Sequence, residues 1–227
     1  MTSASLLPSL RRCTCAATLT LLAAGSVVYL AGCNIIGPAA YFITGPAKTK
    51  KQYTLDPKRP TVVFVDDRGN RVPRRAVRNL IAQTADKALL SEGVVKDLIS
   101  SDSAALAAGQ DRTAKPIPIS QIGRDVKADV VIYATVDMFT LSADGQSLSP
   151  QAIIRVKVID AVEDKRLWPP QPQGAVLTVR SNVKTTDMPQ STADRNKLED
   201  ELAKLAGDEI AWLFYDHLPP QGLKNPD

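Results

Sequence analysis

Cysteine, histidine and aromatic side chains are all scarce in this 227-residue chain: three cysteines, one histidine and 5% aromatic residues. The cysteines are Cys13, Cys15 and Cys33, all near the amino terminus, so no disulfide can staple the body of the protein. A lone histidine and no cysteine beyond residue 33 leave no clustered set with zinc-ligand spacing. A hydrolytic triad would have to use His217, which stands before Leu218-Pro219-Pro220 and reads as a helix-end residue near the surface, favoured by the negative end of the dipole. The sequence has no GxxxxGK[ST] phosphate loop and no GxGxxG fingerprint after a strand. Asp66-Asp67 is the one carboxylate pair beside a strand, but neighbouring strand residues point to opposite faces, so a turn role is expected there. No catalytic residue, metal ligand or cofactor site is therefore predicted. A large basic excess is missing too. The chain carries 28 basic and 24 acidic residues, and without Arg11 and Arg12 the balance is 26 to 24, which argues against a nucleic-acid partner.

What is present begins with a leader. Residues 1–32 contain Arg11 and Arg12, an apolar stretch from Ala16 to Leu30 and the small pair Ala31-Gly32, the order of a bacterial export signal. The apolar stretch is shorter than the about 20 residues of a bilayer span, so a retained transmembrane helix is the second reading. Leu30-Ala31-Gly32-Cys33 resembles the lipobox of bacterial lipoproteins. That resemblance implies cleavage between Gly32 and Cys33, lipid on the Cys33 thiol and acylation of the new amino terminus. Palmitate would be one such chain, and more than one chain is needed for stable anchoring. Asn34 is not the aspartate that retains enterobacterial lipoproteins in the inner membrane, so a periplasm-facing outer-membrane protein is expected, with inner-membrane anchoring as the alternative. The twin-arginine route fits less well, because Cys13-Thr14-Cys15 follows the arginine pair.

Residues 33–60 read as the lipidated cysteine and a flexible tether, broken by Gly37-Pro38, Gly45-Pro46, Asp56-Pro57 and Arg59-Pro60. Lys48, Lys50 and Lys51 are expected to be solvated there. A single domain is expected over 61–218, with a tail at 219–227. Val62 to Val65 is apolar on both faces, as in a strand buried within a sheet. After Pro73, Val77, Leu80, Ile81, Ala85 and Leu89 recur at helical spacing, and Gly93 ends that helix. Val94–Ile99 supplies a short strand, Ser101–Ala108 a short helix, and Ser120 is expected to cap another helix over 121–127. Three alternating strands follow, at 129–141, around 152–158 and around 175–183, with connections at Asp144-Gly145 and 163–172. Leu198, Leu202, Leu205, Ala206, Ile210 and Leu213 form the stripe of a terminal helix. The order βαβα(α)βββα predicts an α+β fold, a mixed β-sheet with helices packed on one or both faces.

Two segments resemble a known family. Ala128-Asp129-Val130-Val131-Ile132-Tyr133-Ala134-Thr135-Val136 is similar to the "GADAVLYGTV" segment of envelope lipoproteins sharing the fold of the TolB amino-terminal domain and the curli secretion lipoprotein. Val156 to Ala161, followed by Arg166-Leu167-Trp168, is similar to their "LVDARTGELLW" strand, turn and strand. Here Val162-Glu163-Asp164-Lys165 replaces the family's Thr-Gly, which leaves the geometry of that turn open. The resemblance implies a periplasmic accessory or assembly role through contacts with envelope proteins or further copies of the chain, and no catalytic residues. A secretion-pore subunit is the second reading and a hydrolase the third. The pore needs membrane-spanning strands with aromatic girdles, for which aromatics are few. Arg71, Arg74, Arg75 and Arg78, with Arg68 before them, form a basic run at the start of the first helix. They are the candidate anion or partner contacts, because cations at a helix start oppose its dipole, although a solvated face explains them too.

Overall fold

The computed structural model describes residues 48–109, 117–183 and 188–218, which form one compact unit beginning at Lys48. Cys33, Gly32 and the leader lie outside the described residues, as does the 219–227 tail. Six strands form one mixed sheet: β1 (Thr61–Asp66), β2 (Leu98–Ile99), β3 (Val130–Thr140), β4 (Gln151–Asp160), β5 (Lys165–Trp168) and β6 (Ala175–Arg180). The order across the sheet is β2-β1-β3-β4-β5, and β6 pairs with β4 as well. β2, β1 and β3 are parallel, while β4 runs antiparallel to β3, β5 and β6. The helices are α1 (Arg75–Ser91), α2 (Ser101–Gly109), α3 (Ile119–Asp125) and α4 (Thr192–Trp212). This is the α+β mixed sheet expected from the sequence, with helices on both faces.

β1 is buried at all six positions because each face carries a helical layer. Val63 and Val65 join the larger core beneath α1 and α4, with Ile81, Leu89, Ile132, Ile154, Leu202 and Ile210. Val62 and Phe64 join a smaller core on the other face with Ala104, Ile122, Val131 and Ala161. The apolar faces of β3 and β4, including Ala134, Val136, Ala152, Ile154 and Val156, lie in the larger core. α1 and α4 run side by side in the same direction: Arg74 meets Glu199 and Asp200, and further along a Cβ on Gly207 would come within 2.6 Å of the Ile81 carbonyl and Thr84 Cβ. Glycine at 207 permits that close approach.

Several local expectations are corrected. The tether assigned to residues 33–60 is packed on the domain from Thr49 onward. Thr49 and His217 exchange backbone hydrogen bonds of 2.8 and 3.1 Å, and the amides of Gln52 and Tyr53 both donate to Leu213 O. Leu55 enters the larger core, and the Pro60 carbonyl accepts from Asp129 and Val130. Prolines prevent regular structure in this span without preventing it from docking. The 163–172 connection contains β5, which pairs with the end of β4. Asp164 supplies the positive φ of 53° that a glycine would have provided in the turn before it, and Asp160 accepts from the amides of Val162 and Glu163. Burial alone would raise the Asp160 carboxyl, but those amides and the Arg59 guanidinium at 3.0 Å hold it below its ordinary value. Ser120 does not cap a helix. α3 begins at Ile119 after Pro118, and the buried Ser120 hydroxyl has no partner among the described residues.

Candidate functional site

The end of β1 sets the position of the candidate site. Asp66 closes the strand on the same face as Val62 and Phe64, and its carboxylate accepts from Arg68 Nε at 2.8 Å and from the Tyr133 hydroxyl at 2.8 Å. Burial first, and then Asp66, push the Tyr133 hydroxyl above its ordinary pKa, so it stays a donor. Phe64 and Tyr133 stack with ring centroids 5.8 Å apart. Asp67 points elsewhere and shapes the loop: its two carboxylate oxygens accept from the amides of Arg71 and Val72 at 2.7 and 2.9 Å. The adjacent aspartates thus do separate jobs and do not converge on one point.

Beyond Asp66 lies an open cleft of about 770 Å³, bounded by β1, α1, α2 and α3. Phe64, Ile117 and Ile122 line its apolar side, with Ala105 and Leu106 from α2, and Arg68, Arg75 and Arg78 bring positive charge. Ligand sites in α/β sheets favour the carboxyl ends of strands, where β1 ends here. Two smaller hollows continue it. One of about 140 Å³ reaches the Asp67–Val72 loop, and one of about 340 Å³ runs between α1 and α2 past Asn79, Gln83 and Asp102. Arg75 and Arg78 line all three, so they stand at the junction of one elongated groove.

The four predicted arginines separate into different roles. Arg74 turns the other way: Nε donates to Glu199 at 2.8 Å and Nη2 to Asp200 at 2.8 Å and to Asn196 O at 3.2 Å. The hydrogen bond it donates to Glu199 is the main reason its pKa lies above the ordinary value. Arg71 is exposed and does not line the cleft. Among the described residues, Arg75 and Arg78 make no ion pair or side-chain hydrogen bond. α1 has no acidic residue in its first turn and no side-chain cap, so the helix itself supplies nothing to offset that charge.

Phe64, Leu106, Ile117 and Ile122 are site residues that sequence reasoning did not select. The only signal for them was in Ser101–Gly109, where Ala104 to Ala108 carries no polar side chain, so an apolar position must face outward; Leu106 does, at 72% exposure.

His217 is not at a helix end. α4 stops at Trp212, and the imidazole stacks on the Trp212 ring with centroids 4.6 Å apart and an angle of 8°. No carboxylate or hydroxyl is hydrogen-bonded to it among the described residues, where its one close partner is Tyr215 O at 3.4 Å. Trp168 packs against the larger core between Tyr53 and Phe214. No described helix is long and apolar enough to cross a membrane, and no group of three or more potential metal ligands occurs among the described residues.

No protein-family model matches the chain, and no curated protein matches it. Solved structures do. One is the PelC dodecamer from Paraburkholderia phytofirmans, at 13% identity and a TM-score of 0.41, covering 74% of this chain and 96% of that one. Another is lipoprotein GNA1162 from Neisseria meningitidis, at 13% identity and a TM-score of 0.40, covering 66% and 99%. A third is the LpoB C-terminal domain from Salmonella enterica, at 13% identity and a TM-score of 0.33, covering 63% and 94%. Bacterial lipoproteins are thus among the structures to which this α+β chain is similar.

Proposed function

We propose that this chain is a lipid-anchored, non-enzymatic component of the bacterial envelope that supports or assembles an envelope complex through protein contacts. The observation that carries this reading is the separation of two poles within the domain. The chain joins the domain at Thr49–Tyr53, against residues 213–217 just past the end of α4, and the arginine cleft lies beside the start of α1. α1 and α4 are parallel, and Glu199 at the cleft end is 14 residues from Leu213. At 1.5 Å per residue the two poles are roughly 20 Å apart. An anchor attached through Cys33 would hold one pole and leave the other to meet a partner. Residues 33–47 extended at about 3.3 Å each would add a reach of roughly 50 Å. Asn34 favours the outer membrane as the place of attachment, with the domain in the periplasm.

The chemistry that an enzyme would require is not gathered at the cleft. Among the described residues its one carboxylate, Asp66, is engaged by Arg68 and Tyr133, and His217 belongs to the opposite pole. The test has two parts. Cys33→Ala should accumulate as an unlipidated precursor, and normal processing of that variant would contradict the anchor. Chemical crosslinking of the native protein in cells should yield adducts heavier than the monomer, and recovery of monomer alone would contradict the assembly role.

A further inference from the structure

We infer that the cleft at the end of β1 binds an extended peptide segment of an envelope partner in which acidic and apolar residues alternate. This rests on the reading of the chain as an assembly component and assigns its contact site. Charge is the first argument: Arg68, Arg75 and Arg78 face the cleft, where Asp66 is the one carboxylate among the described residues and is already engaged by Arg68 and Tyr133. Asp67 and Asp102, in the hollows that continue it, are taken by the amides of Arg71 and Val72 and by Gln83. Arg75 and Arg78 are unpaired among the described residues. A guanidinium's planar donor fork matches a carboxylate in two-point contact. Arg75 and Arg78 are three apart on α1, which places their Cβ atoms about 5–6 Å from each other. In an extended peptide, every second side chain recurs on one side at about 6.6–6.8 Å, a comparable spacing.

The apolar surface is the second argument. Ala105, Ile117 and Leu106, the last at 72% exposure, give the cleft an apolar side above the buried Phe64 and Ile122. A compact inorganic anion would leave that surface wet. An alternating peptide presents carboxylates to one wall and apolar side chains to the other. Shape is the third: the hollows that share Arg75 and Arg78 continue the cleft in two directions, as a chain requires.

The experiment uses the full processed chain in detergent micelles and fluorescence anisotropy with three probes: a labelled peptide alternating Leu and Glu, a labelled peptide alternating Ser and Glu, and soluble dihexanoyl phosphatidylglycerol as competitor. The Leu-Glu peptide should bind saturably and better than the Ser-Glu peptide. Arg75→Glu with Arg78→Glu should weaken it at least about tenfold, and Leu106→Ser should weaken it less. Both sets of changes are at the surface, so an unchanged thermal midpoint will show that the fold survives. Lys51→Glu, at the opposite pole, should have no effect. Equal binding of the two peptides, insensitivity to charge reversal, or displacement by the short-chain lipid at lower concentrations than by unlabelled Leu-Glu peptide would each overturn the inference. Cellular crosslinking does not depend on these peptides, so its success beside a failed peptide assay would remove the cleft and leave the assembly role standing.

Discussion

Arg74 and Glu199, 125 positions apart, form the bond that fastens the start of α1 to α4: Nε lies 2.8 Å from Oε2, and Glu199 is only 6% exposed. Asp200 and the Asn196 carbonyl both accept from Nη2 of the guanidinium. Removing one partner strands a buried charge, so Arg74→Ala should destabilise the domain by about 3 kcal/mol. The double variant Arg74→Ala with Glu199→Ala should lose less than the sum of the singles, because the second change removes the stranded carboxylate. Urea unfolding of the four proteins checks this, and strict additivity would show that the pair does not act as a unit.

Helix packing gives a second expectation. A methyl group at Gly207 would lie 2.6 Å from the Ile81 carbonyl oxygen and 2.6 Å from Thr84 Cβ, so α4 would have to move away from α1. Gly207→Ala should cost about 2 kcal/mol or more. Gly109, with nothing within 4 Å of its added Cβ among the described residues, is the control. Its change to Ala should be neutral or stabilising by up to about 1 kcal/mol. Thermal midpoints of the two variants should therefore move in different directions, or one should not move at all.

Asp86 provides a pH test. It lies on α1, and its Oδ2 accepts from the Ser101 amide at the start of α2 while Oδ1 is buried without a partner among the described residues. Burial first, with a smaller contribution from Asp102, raises its pKa from 3.8 to about 6. The folded protein therefore binds the proton more tightly than the unfolded chain. The cost of burying this charge is fully present above pH 6 and is relieved as pH falls from there toward 3.8. Between pH 7 and pH 5 this group should add about 1 kcal/mol to stability. Asp86→Asn should flatten that part of the stability profile, measured by urea unfolding at each pH; an unchanged slope would contradict the assignment.

The fold could be read from the sequence where side-chain pattern decides it. β1 is apolar on both faces because two cores meet on it, β3 and β4 alternate because α1 and α4 cover one face, and α1 repeats at helical spacing for the same reason. β5 shows no alternation of its own, because four residues, Lys165 to Trp168, are too few; only the likeness of Arg166-Leu167-Trp168 to a family strand marked it, and Trp168 does pack on the core from there. Docking of residues 49–60 was hidden because backbone hydrogen bonds to Leu213, His217 and Asp129 leave no trace in residue type. The arginine run was legible as a run, but its division was not. Arg74 leaves the set because Glu199 and Asp200 reach it from a helix far along the chain, and Arg75 and Arg78 gain a site because α2 and α3 give the cleft an apolar side.

The central claim is that the pole carrying the cleft meets the partner. A photocrosslinking amino acid placed at Leu106, on the cleft rim, should give a discrete heavy adduct in cells, and the same group at Leu218, next to His217 at the other pole, should not. Both positions are well exposed, at 72% and 50%, so accessibility does not distinguish them. The Leu106 adduct should disappear with Arg75→Glu and Arg78→Glu. Equal adducts from both positions, or a Leu106 adduct indifferent to the arginines, would contradict the account.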